Sequence, residues 1–152
     1  MTRAKLNPTP LLVLLFLAAT SGQVLADAAI GPRIGVADKG ENFFLGGQME
    51  IGPLLGRATL VPGLDFGLED AKSTTGLLDL RLYLLPLPET GIRIYGAAGP
   101  GFLLSPSTEV GLSLALGLHI PMKGQRRYNL EYRWSSGALP NHKVGFAVMF
   151  GL

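Results

Sequence analysis

The sequence predicts an all-β fold: an eight-stranded antiparallel up-and-down transmembrane β-barrel, preceded by an N-terminal signal peptide. Three observations carry this prediction. The first is the stretch Glu109–Ile120, EVGLSLALGLHI, in which Val110, Leu112, Leu114, Leu116, Leu118 and Ile120 alternate with Gly111, Ser113, Ala115, Gly117 and His119. A period of two is that of a β-strand, whose successive side chains leave opposite faces. The apolar face is an unbroken aliphatic row, and the other face carries almost no side-chain volume. A water-soluble sheet turns its aliphatic face inward and shows polar residues to solvent; here the bare face suits a narrow lumen and the aliphatic face suits lipid. The second observation is that this alternation recurs about eight times between turn clusters. The third is an export segment at the N-terminus.

That export segment is read over residues 1–26. Arg3 and Lys5 make a positive start, Leu11 to Ala19 an apolar core, and Val24-Leu25-Ala26 a small-residue cleavage pattern. The apolar core is too short for a membrane-spanning helix, which needs roughly 20 residues. Sec-type export with cleavage near Ala26 is therefore expected, leaving a single domain over residues 27–152. With no helical span in that domain, membrane residence requires a closed barrel.

Taken in order, Ala29–Ala37 sets Ile30, Pro32, Ile34 and Val36 against Gly31, Arg33 and Gly35. The polar turn 38–42 leads to Phe43–Leu55, with Phe43, Leu45, Met49 and Ile51 opposite Phe44, Gln48 and Glu50. After a turn at 52–57, Ala58–Glu69 sets Leu60, Leu64, Phe66 and Leu68 against Gly63, Asp65, Gly67 and Glu69. Beyond the loop 70–75, Gly76–Leu85 sets Leu78, Leu80, Leu82 and Leu84 against Asp79, Arg81 and Tyr83. The turn 86–91 precedes Ile92–Leu104, where Ile94 and Phe102 oppose Arg93, Tyr95, Gly99 and Gly101. After 105–108 comes the opening stretch, then a turn at 121–125. Arg126–Ser135 sets Tyr128, Leu130, Tyr132 and Trp134 against Asn129, Glu131 and Arg133. A last loop, 136–143, leads to Val144, Phe146, Val148 and Phe150 opposite Gly145, Ala147, Met149 and Gly151.

With the termini on the periplasmic side, Phe43, Phe66, Phe102 and Trp134 fall outward at the outer rim, and Tyr128 and Phe150 at the periplasmic rim. This is the girdle arrangement of membrane barrels. Pro32, Pro62 and Pro100 each remove a ladder donor. Pro32 is read as lying near a strand start, and Pro62 and Pro100 as sites of bulges.

The chain has 152 residues, 21 Gly, 11 Pro, no Cys and a formal charge of +2. One domain fits this length, and the absence of Cys does not define a compartment. The only basic cluster, Lys123 to Arg127, is too short for a nucleic-acid surface, so nucleic acid is not an expected partner.

Inward positions collect Arg33, Glu50, Asp65, Asp79, Arg81, Arg93, Glu131 and Arg133, with Glu69 beside them. An eight-stranded lumen is only wide enough for side chains to fill, so these charges are expected to pair as an internal network. By height, Arg33 is expected with Glu50 and Asp65 with Arg81; the inward glycines make room for the long side chains. His119, also inward, is expected to bond Glu131. A lone His is poor evidence for metal, and no metal or cofactor is expected.

These features resemble the small outer-membrane β-barrel proteins of Gram-negative bacteria, the group that includes OmpA-type and OmpX-type barrels. The resemblance spans nearly the whole of residues 27–152 and rests on Leu60–Phe66 (LVPGLDF), Ile94–Phe102 (IYGAAGPGF) and the tail Val144–Leu152. It implies residence in the cell outer membrane as a monomer, contact with outer-membrane lipid and lipopolysaccharide, and handling by the outer-membrane assembly machinery. The ending Phe150-Gly-Leu152 departs from the terminal aromatic usual in that group. The role implied is structural, in envelope integrity, or interactive, through short outer loops.

Some barrels of this kind deacylate or acylate lipid A with a His, a Ser and an acidic or Asn partner near the outer rim. The alternative function is therefore a lipid A-modifying enzyme using Ser136, His142 and Asn141. The His-x-Ser arrangement of a deacylase is missing: the stretch reads Arg133-Trp-Ser-Ser-Gly-Ala138. A water-soluble periplasmic or lipocalin-like β-domain is the alternative architecture.

Overall fold

The structure, a computed structural model, describes residues 28–38, 43–55, 58–68, 73–105, 108–137 and 139–152. The expected signal segment and Glu69 lie outside them. Eight strands follow one another: β1 (Ala29–Ala37), β2 (Phe43–Leu55), β3 (Ala58–Gly67), β4 (Thr74–Pro86), β5 (Arg93–Ser105), β6 (Glu109–Pro121), β7 (Arg126–Ser135) and β8 (His142–Gly151). Each pairs antiparallel with its sequence neighbour, and β1 pairs with β8, so the sheet closes into an up-and-down barrel without an edge. Strand boundaries fall within about two residues of those read from the alternation.

The faces divide as the period of two dictates. Val110, Leu112, Leu114 and Leu116 of β6 are 45–56% exposed, and Ile34, Leu45, Leu64, Leu80, Leu82, Leu130 and Val144 continue that apolar belt around the outside. Inside, Arg33, Glu50, Asp65, Asp79, Arg81, Glu131 and Arg133 are each at most 5% exposed. A soluble fold with this distribution would bury its charges and hydrate its leucines. Phe43, Phe66 and Trp134 stand exposed on the outer surface at the end where β1 runs into β2, hereafter the upper mouth, and Phe150 at the lower mouth, where the described chain starts and ends. Phe102 and Tyr128 are half-buried, Tyr128 tilted against Phe146 with ring centres 5.2 Å apart. Ile51 departs from its expected outward place and is 3% exposed, at the edge of a register irregularity between Ile51 and Leu55.

The prolines do not make bulges. Around Pro32 the β1–β8 ladder skips from Ile30↔Phe150 to Arg33↔Ala147. Around Pro62 the β2–β3 ladder skips from Gln48↔Gly63 to Ile51↔Leu60, and around Pro100 the β4–β5 ladder skips from Leu77↔Gly101 to Leu80↔Ala98. In all three the register resumes unshifted, so the missing N–H interrupts one ladder without adding a residue. Gly31 and Gly99, each preceding a proline, make this possible: a Cβ there would run into the carbonyl oxygen of Val148 or Leu78. The irregularities lie elsewhere, at Ile51/Leu55, Thr74/Thr75 and Tyr83/Leu85.

Candidate functional site: a filled lumen and a cup beneath it

Of the charges read as inward, all those described except Arg93 meet in one network, with different partners from those height suggested. Glu50 accepts from Arg81, from Arg127 Nη2 at 2.5 Å and from Asn129 Nδ2 at 2.6 Å. Arg33 pairs with Asp65 at 3.3 Å, so the expected Arg33–Glu50 and Asp65–Arg81 pairs are exchanged. Register is the reason. Arg33 lies opposite Gly46, and Gly46 opposite Asp65, which places Arg33 and Asp65 in one row across three strands. Glu50 lies opposite Ala29, a full four residues lower than Arg33 on β1.

Glu131 is the hub. It accepts from Arg133 Nη2 at 2.6 Å and from the Tyr95 hydroxyl at 3.1 Å, with Arg33 at 3.7 Å and Arg81 at 3.6 Å. Arg133 also donates to Ser113 and, at 2.6 Å, to Asp79 Oδ2. Lys143 adds a contact to Asp65 at 3.6 Å. Removing such charges from water costs several kcal/mol per ion, which only a multiply bonded arrangement offsets. The rings of Tyr95 and Phe44 complete the filling. The Arg81 guanidinium lies 4.0 Å from the Tyr95 ring centre and that of Arg33 5.4 Å from Phe44.

The bare face of β6 thus receives particular neighbours. Gly117 lies under the Tyr95 ring, Ser113 meets Arg133, and Gly111 lies under Leu139. Leu139, in the β7–β8 connection, is 2% exposed and packs inward at the upper mouth. Its Cδ1 would stand 2.6 Å from a Cβ on Gly101 and 2.8 Å from one on Gly111. Leu77 and Leu103 are buried from the facing strands at the same end. Nothing in the alternation marked Leu139, because it sits in a loop.

The lower mouth is open. A cup of about 750 Å³ is lined by Glu50, Tyr83, Arg93, His119, Arg126 and Arg127, among others. His119 is buried, but its partners are Arg93 Nη2 at 3.1 Å and the Tyr83 hydroxyl at 3.4 Å rather than Glu131. Strand stagger separates the two: His119 lies opposite Asn129, and Glu131 opposite Gly117. Arg93 stands at the exposed rim of the cup, stacked 4.2 Å over Tyr83, apart from the central network.

The enzyme candidates are not joined. The Ser136 hydroxyl accepts from the Leu112 N–H at 3.1 Å, whereas the His142 ring bonds the Tyr132 hydroxyl at 2.7 Å and stacks on that ring. His142 and Tyr132 point to the outside of the barrel, and Asn141 caps the hairpin by accepting from the Ser135 N–H through its backbone carbonyl. Among the described residues no group of three His, Cys, Asp or Glu side chains could hold a metal ion.

In fold, the chain is similar to solved β-barrel structures. One is a de novo designed transmembrane β-barrel, with TM-score 0.64 at 12% identity, covering 84% of this chain and 96% of that one. The designed barrel TMB2.3 gives TM-score 0.62 at 10% identity, covering 84% and 94%. The N-terminal β-barrel domain of Pseudomonas aeruginosa OprF gives TM-score 0.64 at 16% identity, covering 81% and 96%. At these identities the likeness is one of fold. No family model and no curated protein matches the sequence.

Proposed function

We propose that the protein is an outer-membrane β-barrel whose lumen is filled by side chains, with a structural or surface-contact role in the cell envelope and not that of an open pore. The observation that carries this reading is the inversion of the barrel: an outward belt of Leu, Ile, Val and Phe around an inward network centred on Glu131. A belt of that kind is stable only against lipid or detergent. The likeness to membrane barrels, OprF among them, supports the same reading. On it, the lower mouth opens to the periplasm, and the upper loops face outward. Lipid and lipopolysaccharide surround the monomer, reached through Sec-type export and the outer-membrane assembly machinery.

The test is membrane fractionation with heat-modifiable gel migration, followed by planar-bilayer recording of the purified protein. Recovery in the outer membrane, a migration shift on boiling and no stable open channel are expected. A soluble periplasmic protein would overturn the membrane assignment, and a steady open conductance would overturn the filled lumen.

A further inference from the structure

The cup at the lower mouth has a surplus of hydrogen-bond donors that the central network does not consume. The Glu50 carboxylate in its lining is already committed: Oε1 accepts from Arg81 and Asn129, and Oε2 from Arg127. A guanidinium can only donate, so His119 accepts from Arg93 on Nε2 and carries its own proton on Nδ1, toward the Tyr83 oxygen. Tyr83, taking that bond as acceptor, keeps its own O–H to donate. Arg127 Nε is buried with no hydrogen-bond partner. Arg126, exposed on the rim, shares the outward face with Phe150, 6.0 Å from that ring centre. Arg93 and Arg127 thus meet at a concave space of about 750 Å³, beside a tyrosine hydroxyl. The stacking of Arg93 over Tyr83 and its bond to His119 hold one guanidinium in place before anything binds.

We propose that this cup is a binding site for a phosphate group entering at the lower mouth. The forked donors of arginine match the oxygens of a phosphate, and a phosphate offers three strong acceptors to the donors of Arg93, Arg127 and Tyr83. The same chemistry is carried by a free phosphorylated solute and by a lipid headgroup.

Amide NMR of the isotopically labelled full barrel distinguishes the two sources. The probes are pyrophosphate added to nonionic micelles, and nanodiscs of phosphatidylcholine with or without phosphatidic acid. Saturable shifts at Tyr83, Arg93, His119 and Gln125 with pyrophosphate identify a soluble ligand. The same shifts only with phosphatidic acid identify a headgroup. In either case Arg93→Gln should weaken binding about tenfold, the value of one charge-assisted hydrogen bond. Lys123→Gln, at the same end but outside the cup, should leave it unchanged. Arg93 lies outside the buried network, and heat-modifiable migration verifies that its variant folds. No shift with either probe, shifts reproduced by chloride at equal ionic strength, or shifts that survive Arg93→Gln would overturn the proposal.

Discussion

Arg133 Nη2 lies 2.6 Å from Asp79 Oδ2, joining β7 to β4 across the inside of the barrel with β5 and β6 between them on one side. The same nitrogen lies 2.6 Å from Glu131 Oε1. One guanidinium therefore binds a carboxylate of its own strand and another from across the lumen, and the lumen is closed at that level by bonded charge.

Breaking this knot should cost more at its hub than at its edge. Glu131→Gln leaves Arg33, Arg81 and Arg133 short of a shared counter-charge, and the expected loss is about 3–5 kcal/mol. Asp79→Asn leaves Arg133 its bonds to Glu131 and Ser113 and should cost about 1–3 kcal/mol. Urea unfolding of both variants in the same lipid measures the order; equal losses would show that Glu131 is not the hub.

The belt makes a separate prediction. Leu114 is 45% exposed at mid-height on β6. Leu114→Arg should destabilise the barrel by about 2–4 kcal/mol in a bilayer, the cost of placing arginine near the midplane. On the surface of a water-soluble protein the same change would fall within about 0.5 kcal/mol. Unfolding midpoints in phospholipid vesicles separate the two outcomes.

Gly117 is a matter of volume rather than backbone conformation. A Cβ there would meet the Tyr95 ring, which has no exposed surface, and the Leu130 carbonyl at 2.8 Å. Gly117→Ala should destabilise by about 1–3 kcal/mol. In a Tyr95→Leu background much of that penalty should vanish, and a double-mutant cycle measures the coupling. An unchanged penalty would assign the strain to the Leu130 carbonyl alone.

Leu139 packs at the upper mouth over Gly101 and Gly111. Leu139→Ala removes this packing and should cost about 2 kcal/mol or more, with faster proteolytic nicking of the 136–141 connection. Conductance should stay closed, because the charge network lies below. An open channel in this variant would make Leu139 the seal instead.

Much of the fold was legible in the sequence because alternation is a local property. Leu112, Leu114 and Leu116 alternate with Ser113, Ala115 and Gly117 wherever the strand ends up, and eight such stretches in turn order leave few ways to close a sheet. Irregularities were less legible. Pro62 and Pro100 look like bulges in isolation, yet the glycines beside Pro32 and Pro100 let the neighbouring backbone approach and the ladder resume in register. Of the candidate enzyme residues, Ser136 and His142 share a short loop in sequence, but strand parity turns the His142 ring to the outside, toward Tyr132.

By itself, then, the sequence determined the strands, their order and which face of each is greasy, since those follow from side-chain period and chain connectivity. Only the tertiary structure decided who pairs with whom. Arg127 reaches Glu50 across 77 residues of sequence, Arg33 takes Asp65 and leaves Glu50 to Arg81, and Arg93 turns to His119 in an open cup. The physical reason is closure. Joining β1 to β8 with a fixed stagger brings side chains of non-adjacent strands to one level, and no local pattern encodes that stagger.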